Sequence, residues 1–460
     1  MCDIKKYITI ILIVSYALAI KLFITNTLNI DNITISYISC LSLIVVFFSY
    51  RINNINLNSI CYFFLIAYAT FIFGRFISIV IDSLISNSNE GVVDLFRVTW
   101  MTTYNPNPED AKKLFIIVNY FILFFACGFI LNGKIVFSNI NRKKINFKYC
   151  YYFFYICILY LSIKLCNDII LTIKGGYQAL YIQGNNAGVF SGTLVRIAKL
   201  ILLITFLIII NDTEPKKCNK YFIIFIVFSL LTGFVGSRGT LVTYILTIFY
   251  LYNRKNNKKL NILMFSSCVL GVFILMNVIL GFSSRGGQDS DFILNTSVIT
   301  GFLNSQGVSL SVIGYSLYGI NEYPLHTLLQ SVIPLFFKIY SLFNSDVEMY
   351  TSSITTYIAY NANYHMFLQG AGLGSSIVSE LFLLVNYELL IFIICSVFFG
   401  FIIGFVEKKS INSSYCFILI GTMMPFILFS PRDGLNVLII STIYCLLIIV
   451  LFRMKIKKKV

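Results

Sequence analysis

Residues 388–409 read ELLIFIICSVFFGFIIGFVEKK, and this stretch decides the fold class. Its apolar part is close to the roughly 20 residues that an α-helix needs to cross the hydrocarbon core of a bilayer. Lys408 and Lys409 follow the apolar part after a single residue, Glu407, as basic residues do at the cytoplasmic end of a membrane span. The stretch therefore predicts a transmembrane helix, Glu388–Val406, that ends on the cytoplasmic side.

Similar apolar runs recur along the whole chain. Of its 460 residues, 58% are hydrophobic and 12% are charged, whereas roughly a quarter of the residues in a soluble domain are charged. The sequence therefore predicts an all-α integral membrane protein of about twelve transmembrane helices. The other predicted spans are Tyr7–Thr25, Ile33–Tyr50, Ile60–Val80, Leu114–Leu131, Tyr151–Ile173, Val189–Ile210, Tyr221–Val235, Thr240–Tyr252, Asn261–Phe282, Tyr415–Phe429 and Leu435–Phe452.

Clusters of Lys and Arg separate these spans with a fixed parity. Basic residues follow every even-numbered predicted span, and a basic pair precedes the first one. By the positive-inside rule, this parity predicts that both termini are cytoplasmic. The net charge of +16 is therefore a feature of membrane topology and does not indicate nucleic-acid binding. The clusters are Lys5 and Lys6; Arg51; Arg142, Lys143, Lys144 and Lys148; Lys216, Lys217 and Lys220; Arg254, Lys255, Lys258 and Lys259; Lys408 and Lys409; and Arg453, Lys455, Lys457, Lys458 and Lys459.

The longest segment between predicted spans is residues 283–387. It is rich in Tyr, Phe, Leu and Ile, so we expect it to fold on the outer side of the membrane. Its apolar part, Leu325–Phe343, is interrupted by Pro334 and Lys338, and we predict a helix that lies in the membrane interface there. The predicted organisation is nine transmembrane helices in 1–282, a large outer segment in 283–387 and three transmembrane helices in 388–460.

A glycine-flanked arginine lies at one predicted outer turn. Gly236-Ser237-Arg238-Gly239 connects two short spans, and its glycines allow a tight turn and the close approach of a ligand. The N–H groups at the start of the next helix favour an anion, and the Arg238 guanidinium fits phosphate. The turn predicts a lipid-diphosphate site, with Arg238 as ligand and Gly236, Ser237 and Gly239 as support. Arg238 could instead extend to lipid headgroups, as interfacial arginines do.

Two further arginines lie near the predicted outer face. Arg75 follows Gly74 near the outer end of the third span, and an arginine at membrane depth tends to face a cavity or a partner. Arg285 lies in the glycine-containing stretch 283–287, after the ninth span. Both fit phosphate, and both could instead reach toward headgroups. Asp289 and Asp291 follow; paired carboxylates can hold a divalent cation, although two acids in a polar loop are usually solvated.

Two residues in the second half of the outer segment are candidates for a general base. His365 is one of only two histidines, and Glu380 follows the glycine-rich stretch 370–376. Either side chain can accept a proton from a sugar hydroxyl, although a lone histidine is more often structural. The sequence has no Walker A loop, no H-E-x-x-H motif and no Cys/His metal cluster. The absence of these motifs argues against an ATP-driven pump.

The order of these motifs resembles that of the Wzy-type O-antigen polymerases, also called oligosaccharide repeat unit polymerases. The resemblance implies a glycosyltransferase with a GT-C-like fold in the inner membrane of a Gram-negative bacterium, with its active site facing the periplasm. It rests on Phe73-Gly74-Arg75, on Gly236-Ser237-Arg238-Gly239, on Gln306-Gly307-Val308-Ser309 with Gly314-Tyr315, and on Gly372-Leu373-Gly374-Ser375-Ser376 with Glu380.

The resemblance also implies a reaction and its partners. The growing polysaccharide would move from undecaprenyl diphosphate to a hydroxyl of the next undecaprenyl-diphosphate-linked repeat unit, without ATP or a nucleotide sugar. The resemblance also implies that no metal and no cofactor takes part. Arg75, Arg238 and Arg285 would bind the diphosphate and stabilise the charge that develops on the leaving group. The implied partners are the lipid-linked oligosaccharide and the lipid bilayer, with a chain-length regulator as a further candidate.

Two other functions fit parts of the pattern. A lipid-linked oligosaccharide flippase also has about twelve spans, but flippases usually join their helices by short loops, unlike the segment 283–387. An O-antigen ligase uses the same donor with a different acceptor, and residue types alone barely separate it from a polymerase. The order of the motifs favours the polymerase.

Overall fold

In the computed structural model, the described part of the chain forms helices and contains no strand. The described residues are 2–27, 31–86, 95–96, 98, 104, 106–135, 142–145, 147, 149–175, 192–235, 238–256, 260–267, 270–271, 274, 298–344, 346–368 and 372–457. Several predicted features lie outside this set: Gly236, Ser237, Arg285, Asp289 and Asp291, the side chain of Arg238 and most of the predicted span Asn261–Phe282. Within the described residues, the predicted all-α class is confirmed.

Long helices occur where long apolar runs were predicted to span the membrane. The first half contains α1 Cys2–Asn26, α2 Asn32–Ile52, α3 Ile60–Phe71, α4 Gly74–Ser86, α5 Pro108–Leu131, α6 Cys150–Gly175, α7 Gly192–Asp212, α8 Pro215–Phe234 and α9 Arg238–Lys255. Shorter elements follow: α10 Val298–Gln306, α11 Ser309–Gly314, the π-helix Tyr315–Gly319, α12 Leu325–Gln330, α13 Phe336–Phe343, the 3-10 turn Met349–Ser352, α14 Ile354–Ala362, α15 Tyr364–Leu368 and α16 Ile377–Leu384. The chain closes with α17 Leu389–Lys409, α18 Ser414–Phe429 and α19 Leu435–Lys457.

Seven described helices are long and apolar enough to cross a membrane. They are α1, α2, α5, α6, α7, α8 and α17. Helices α3 and α4 add an eighth span if they are counted as one broken helix, since they meet at a bend of 70°. Helix α18 and most of α19 are shorter apolar helices. These features indicate a multi-pass membrane protein, whereas the full number of twelve spans stays a prediction.

Helix α5 is the centre of the helix bundle. Of its most apolar stretch, 94% is buried against the rest of the protein, compared with 28% for α17. The two helices touch backbone to backbone: a Cβ at Gly128 would lie 1.9 Å from the Val397 carbonyl oxygen, and one at Gly400 would lie 2.1 Å from the Phe125 carbonyl oxygen. Small residues allow such close approach between membrane helices. Helix α17 therefore packs one face on α5 and leaves most of its surface for lipid.

Several of the basic clusters meet at one end of the bundle. The Lys6 ammonium donates a hydrogen bond of 2.7 Å to the Leu131 carbonyl, at the C-terminus of α5. The Lys408 ammonium donates a bond of 2.6 Å to the neighbouring Asn132 carbonyl, which brings the end of α17 to the same place. We call this the basic end. The opposite end, where α5 begins, is called the outer end.

The predicted interfacial helix at 325–343 is instead two short helices. Helix α12 ends at Gln330 and α13 begins at Phe336, because the intervening turn contains Pro334, which cannot donate a helical hydrogen bond. Leu335 in this turn has a left-handed backbone, with a φ of 68°. Leu342 and Phe343, at the end of α13, are each 81% exposed. Helix α13 therefore keeps the exposed apolar residues expected of an element at a membrane interface.

Candidate functional site

The junction of α3 and α4 builds the first part of the candidate site at the outer end. Gly74 begins α4 and packs on α10, because a Cβ at Gly74 would lie 2.4 Å from the Leu303 carbonyl oxygen. Gly307 is on the other side of this contact, where a Cβ would lie 2.5 Å from the backbone nitrogen of Arg75. Two facing glycines thus let α4 and the end of α10 approach closely.

Arg75, the first of the predicted diphosphate ligands, is buried at this contact and is 5% exposed. One of its terminal nitrogens donates to the Leu95 carbonyl and, over 2.8 Å, to the Ser311 hydroxyl. Its Nε donates a longer bond of 3.4 Å to the Asn304 carbonyl. These bonds tie α4 to α10 and α11, since a buried guanidinium needs acceptors for its donors. They indicate a structural role, and diphosphate binding by Arg75 stays a prediction.

Arg432 is a second arginine at the outer end, and the sequence analysis overlooked it. It lies in the turn 430–434 between α18 and α19 and is half-buried. Its Nη1 donates a hydrogen bond of 3.0 Å to Oε1 of Gln306, and its guanidinium lies 5.8 Å from the centre of the Phe71 ring. The available signal was a single arginine, followed by Asp433 and Gly434, in the short gap between two predicted outer span ends.

The start of α9 lies close to Arg432. Gly239, in the first turn of α9, faces Phe429, because a Cβ there would lie 2.3 Å from the Phe429 ring. The Phe429 ring packs edge-on against Phe71 at 5.7 Å, and Phe71 is the ring over which Arg432 lies. Gly239 and Arg432 therefore lie on the two sides of one aromatic pair. Helix α9 begins at Arg238, slightly before the predicted span Thr240–Tyr252.

Glu380 is buried on α16, where it is 1% exposed. Its carboxylate accepts a hydrogen bond of 2.7 Å from the Ser375 hydroxyl and one of 2.6 Å from the Leu435 amide, at the start of α19. Gly434 makes room for it, because a Cβ there would lie 2.3 Å from Glu380 Oε1. Burial raises the pKa of Glu380 to about 7, against the opposing effect of hydrogen bonds from Ser375 and Leu435.

The whole chain can now be compared with known families. Residues 8–460 match the family described as O-antigen polysaccharide polymerase Wzy. The chain belongs to this family. Comparisons with curated proteins and with solved structures give no match. Membership confirms the resemblance suggested by the order of the motifs, and it supports an O-antigen polymerase function for a multi-pass membrane protein.

His365, the other predicted base of this Wzy-family chain, has different contacts from Glu380. It is exposed on the short helix α15, and its ring faces the Tyr364 ring at 6.1 Å. Glu380 accepts hydrogen bonds from the Ser375 hydroxyl and from the Leu435 and Asn436 amides, so the two predicted catalytic residues share no described contact. The second histidine, His326, hydrogen-bonds Thr351 over 2.9 Å and stacks on Tyr340. Catalysis by His365 stays a prediction.

A metal site does not emerge from the part of the chain that the structure describes. No group of three or more His, Cys, Asp or Glu side chains gathers there in a way that could hold an ion. Asp289 and Asp291, the pair considered from the sequence, lie outside the described residues. The absence of a metal or cofactor in this Wzy-family chain therefore stays a prediction.

The described part of the site combines a cation and a carboxyl group around one turn. Gly374 packs on the Arg432 carbonyl, where a Cβ would lie 2.7 Å away, and Gly434 packs on the Glu380 carboxylate. An arginine can bind a phosphate oxygen through two donors, and its charge is permanent. A carboxyl group with a pKa near 7 is available in part as a base at neutral pH. In a Wzy-family chain, this arrangement suits transfer from a phosphorylated donor.

Proposed function

We propose that this Wzy-family protein transfers the growing polysaccharide from undecaprenyl diphosphate to the next undecaprenyl-diphosphate-linked repeat unit. An acceptor hydroxyl attacks the anomeric carbon of the donor chain, and the bond from that carbon to the diphosphate oxygen breaks. Undecaprenyl diphosphate leaves with the electron pair of that bond, and the hydroxyl proton passes to a base. Family membership over residues 8–460 supports polymerisation. The lipid carrier and this mechanism are our inference.

The observation that carries the mechanism is that Arg432 and Glu380 border the same turn. Arg432 belongs to the turn 430–434, and the Glu380 carboxylate accepts from the Leu435 amide that follows it. We assign Arg432 to the diphosphate, where its charge would stabilise the leaving group as the glycosidic bond breaks. We assign Glu380 to the acceptor hydroxyl as general base, with His365 as the second candidate. A bound substrate would have to displace one hydrogen bond of Glu380 to reach it.

The other predicted arginines have different proposed roles. The start of α9 borders the Phe71–Phe429 pair opposite Arg432, which supports Arg238 as a second diphosphate ligand beside the helix N-terminus. Arg285 is proposed as a third ligand on the strength of the family resemblance alone. Arg75 would act indirectly, by holding α10 and the Gln306 amide that accepts from Arg432.

The proposed location is the inner membrane of a Gram-negative bacterium, with the outer end in the periplasm. The basic end collects Lys6 and Lys408, which supports its assignment to the cytoplasm together with both termini. In this orientation, the outer segment 283–387 and the site at turn 430–434 face the periplasm. A lipid-linked substrate would then reach the site by lateral diffusion in the outer leaflet. A chain-length regulator remains a candidate partner on the same side.

A gene deletion tests the proposed function. If the protein is the polymerase, its loss should leave lipopolysaccharide core that carries a single repeat unit, as seen on a gel. Bare core with polymer retained on the lipid carrier would instead indicate a ligase. Bare core with no periplasmic polymer would indicate a flippase. Either of the last two results would overturn the proposal.

A substitution of Arg432 tests the proposed mechanism. We expect Arg432→Gln to lower the rate of polymer formation by roughly 10²–10³-fold, the usual cost of removing one donor from a developing oxyanion. Arg432→Lys should retain more activity, because it keeps the charge but not the fork of donors. The matched control is Arg51→Gln, since Arg51 is an exposed arginine at the C-terminus of α2. Wild-type rates for Arg432→Gln, in protein that folds normally, would remove Arg432 from the site.

A further inference from the structure

Two adjoining cavities open at the outer end of the molecule, near the start of α5. Their volumes are about 580 and 330 Å³, within or near the range of small-molecule sites. Both are bordered by Tyr315 and Gly319, so they form parts of one groove. We call it the tyrosine groove and define it by Tyr104, Asn107, Tyr315, Tyr318, Tyr357 and Asn361.

The middle of the tyrosine groove is built by the π-helix Tyr315–Gly319. A π-helix is wider than an α-helix, is rare, and occurs frequently at functional sites. The Tyr315 ring lies over Gly319, because a Cβ at Gly319 would be 2.3 Å from that ring. The Tyr104 ring meets Tyr315 edge-on at 5.4 Å. The rings of Tyr104 and Tyr315 therefore lie together at the junction of the two cavities.

The lining of the groove has the chemistry that a sugar requires. A sugar ring offers an apolar C–H face and a rim of hydroxyl groups, and tyrosine offers an aromatic face with a polar tip. The amides of Asn107 and Asn361 can both donate to and accept from hydroxyl groups. Tyr357 is held in place, because its hydroxyl donates over 3.2 Å to the Glu322 carbonyl and its ring packs against Tyr323 at 5.3 Å.

The charge of the groove limits which sugars it can take. Among the residues that the structure describes, its lining includes the acidic residues Glu322 and Asp110 and contains no Lys or Arg. Asp110 has the exposed Lys113 ammonium 3.9 Å away, whereas no ion pair of Glu322 occurs among the described residues. An acidic sugar at this position would be repelled, and a protonated amino sugar would be attracted.

The tyrosine groove is also connected to Glu380. Thr355 lies on α14, the helix that carries Tyr357 and Asn361, and its hydroxyl donates over 3.2 Å to the Ser375 hydroxyl. Ser375 in turn donates to the Glu380 carboxylate over 2.7 Å. Helix α14 therefore borders the groove and is joined to the proposed base through Ser375.

We propose that the tyrosine groove binds the sugars of the acceptor repeat unit, and that these are neutral or amino sugars and not acidic ones. This inference rests on the proposed polymerase function, because it identifies the occupant of the groove as the acceptor substrate. It adds binding residues and a substrate class that family membership does not specify.

The test uses the full-length protein in lipid nanodiscs with the lipid-linked repeat unit that accumulates in a strain lacking the gene. We expect Tyr357→Ala and Asn361→Ala each to raise the KM for this repeat unit about five- to tenfold with little change in kcat, because they remove ground-state binding. Tyr357→Phe keeps the ring and should raise KM less. Tyr364→Ala is the matched control, since Tyr364 is 50% exposed and lies outside the groove.

The outcomes separate this inference from the proposed function. If wild-type protein makes polymer but KM is unchanged in Tyr357→Ala and Asn361→Ala, the groove proposal fails and the polymerase function stands. If wild-type protein makes no polymer, the function fails; direct binding of the repeat-unit oligosaccharide, released from its lipid, then still tests the groove. Equal binding by wild type and Tyr357→Ala would overturn it. Finding a uronic or other acidic sugar in the repeat unit would overturn the substrate class.

Discussion

Two buried glutamates, Glu380 and Glu407, lie near the opposite ends of α17 and are held in the same way. Each is at most 1% exposed, and each accepts one hydrogen bond from a serine hydroxyl and one from the first amide of another helix. For Glu380 these donors are Ser375 and Leu435, at the start of α19. For Glu407 they are Ser59 and Ile60, at the start of α3. A carboxylate at a helix N-terminus is favoured by the helix dipole, so both glutamates fix helix ends.

The two sites differ in what completes them. Glu407 also accepts from the Tyr250 hydroxyl over 3.1 Å, and Tyr250 accepts from the buried Arg254 guanidinium, which is 1% exposed. Arg254 donates further to Ser410, so the network at the basic end closes on itself around a cation. Glu380 has no arginine among its described hydrogen-bond partners. The comparison teaches that the same construction is joined to a buried arginine by hydrogen bonds at the basic end, whereas the bonds described for Glu380 at the outer end include no arginine.

Of the substitutions that test this comparison, removal of the Arg254 cation at the basic end should have the largest effect on stability. We expect Arg254→Met to lower the free energy of unfolding by about 3–5 kcal/mol, because it leaves the Glu407 carboxylate buried without its positive partner. The measurement is thermal unfolding of the purified protein in detergent. The control is Arg51→Met, which removes an exposed arginine.

The double variant Arg254→Met with Glu407→Leu sharpens this prediction. It removes the uncompensated charge as well as the cation, so most of the lost stability should return. If Arg254→Met unfolds at the wild-type temperature, Arg254 and Glu407 do not form the unit described, and the contrast with Glu380 loses its basis.

The sequence predicts the helices well but only part of these two sites. The span at 388–406 became α17 because its apolar run is long and uninterrupted. The predicted span Ile60–Val80 is instead two helices that meet at a bend of 70°. Its residues are apolar through the break, so the apolar pattern does not reveal the bend, which occurs where Gly74 packs against Gly307. That contact joins distant parts of the chain, so no local pattern encodes it.

The same reason explains which site residues were found. Glu380 was proposed because it follows a glycine-rich stretch, a local signal. Arg432 was overlooked because its significance comes from Gln306 and Phe71, which are close only in the folded chain. Glu407 was overlooked because it falls at the end of an apolar run, and its partners Ser59 and Tyr250 are likewise distant in sequence.

Exchanging the carboxylates for amides tests whether the two glutamates have different roles. We expect Glu380→Gln to lower polymer formation per mole of folded protein by roughly 10²–10⁴-fold, the usual contribution of a general base. Glu407→Gln should reduce the yield of folded protein while leaving the activity of each folded molecule near that of wild type. The assay is polymer formation from lipid-linked repeat units, normalised to folded protein. Equal losses of specific activity in the two variants would mean that Glu380 has no special role.

A smaller change next to Glu380 tests its placement without removing the carboxylate. A methyl group at Gly434 would lie 2.3 Å from Glu380 Oε1, so Gly434→Ala must displace the carboxylate or the turn. We expect a loss of about 1–3 kcal/mol in the free energy of unfolding, as for other overpacked sites, together with lower activity. Gly372→Ala is the matched control, because a Cβ at Gly372 has no atom within 4 Å. Similar behaviour of the two variants would contradict the described packing.

The pH dependence of activity should give the smallest of these effects and the sharpest separation of roles. Burial raises the pKa of Glu380 from 4.5 to about 7, and the proposed base must be deprotonated, so activity should fall about tenfold for each pH unit below 7. The Glu380 contribution to stability has the opposite sign. The folded state prefers the neutral carboxyl, so this contribution is fully present below pH 4.5 and is lost as the pH rises through 7. The residual activity of Glu380→Gln should no longer show the fall in activity below pH 7, which is the acidic limb of the pH profile. A limb near pH 7 that persists in this variant would assign the titration to another group.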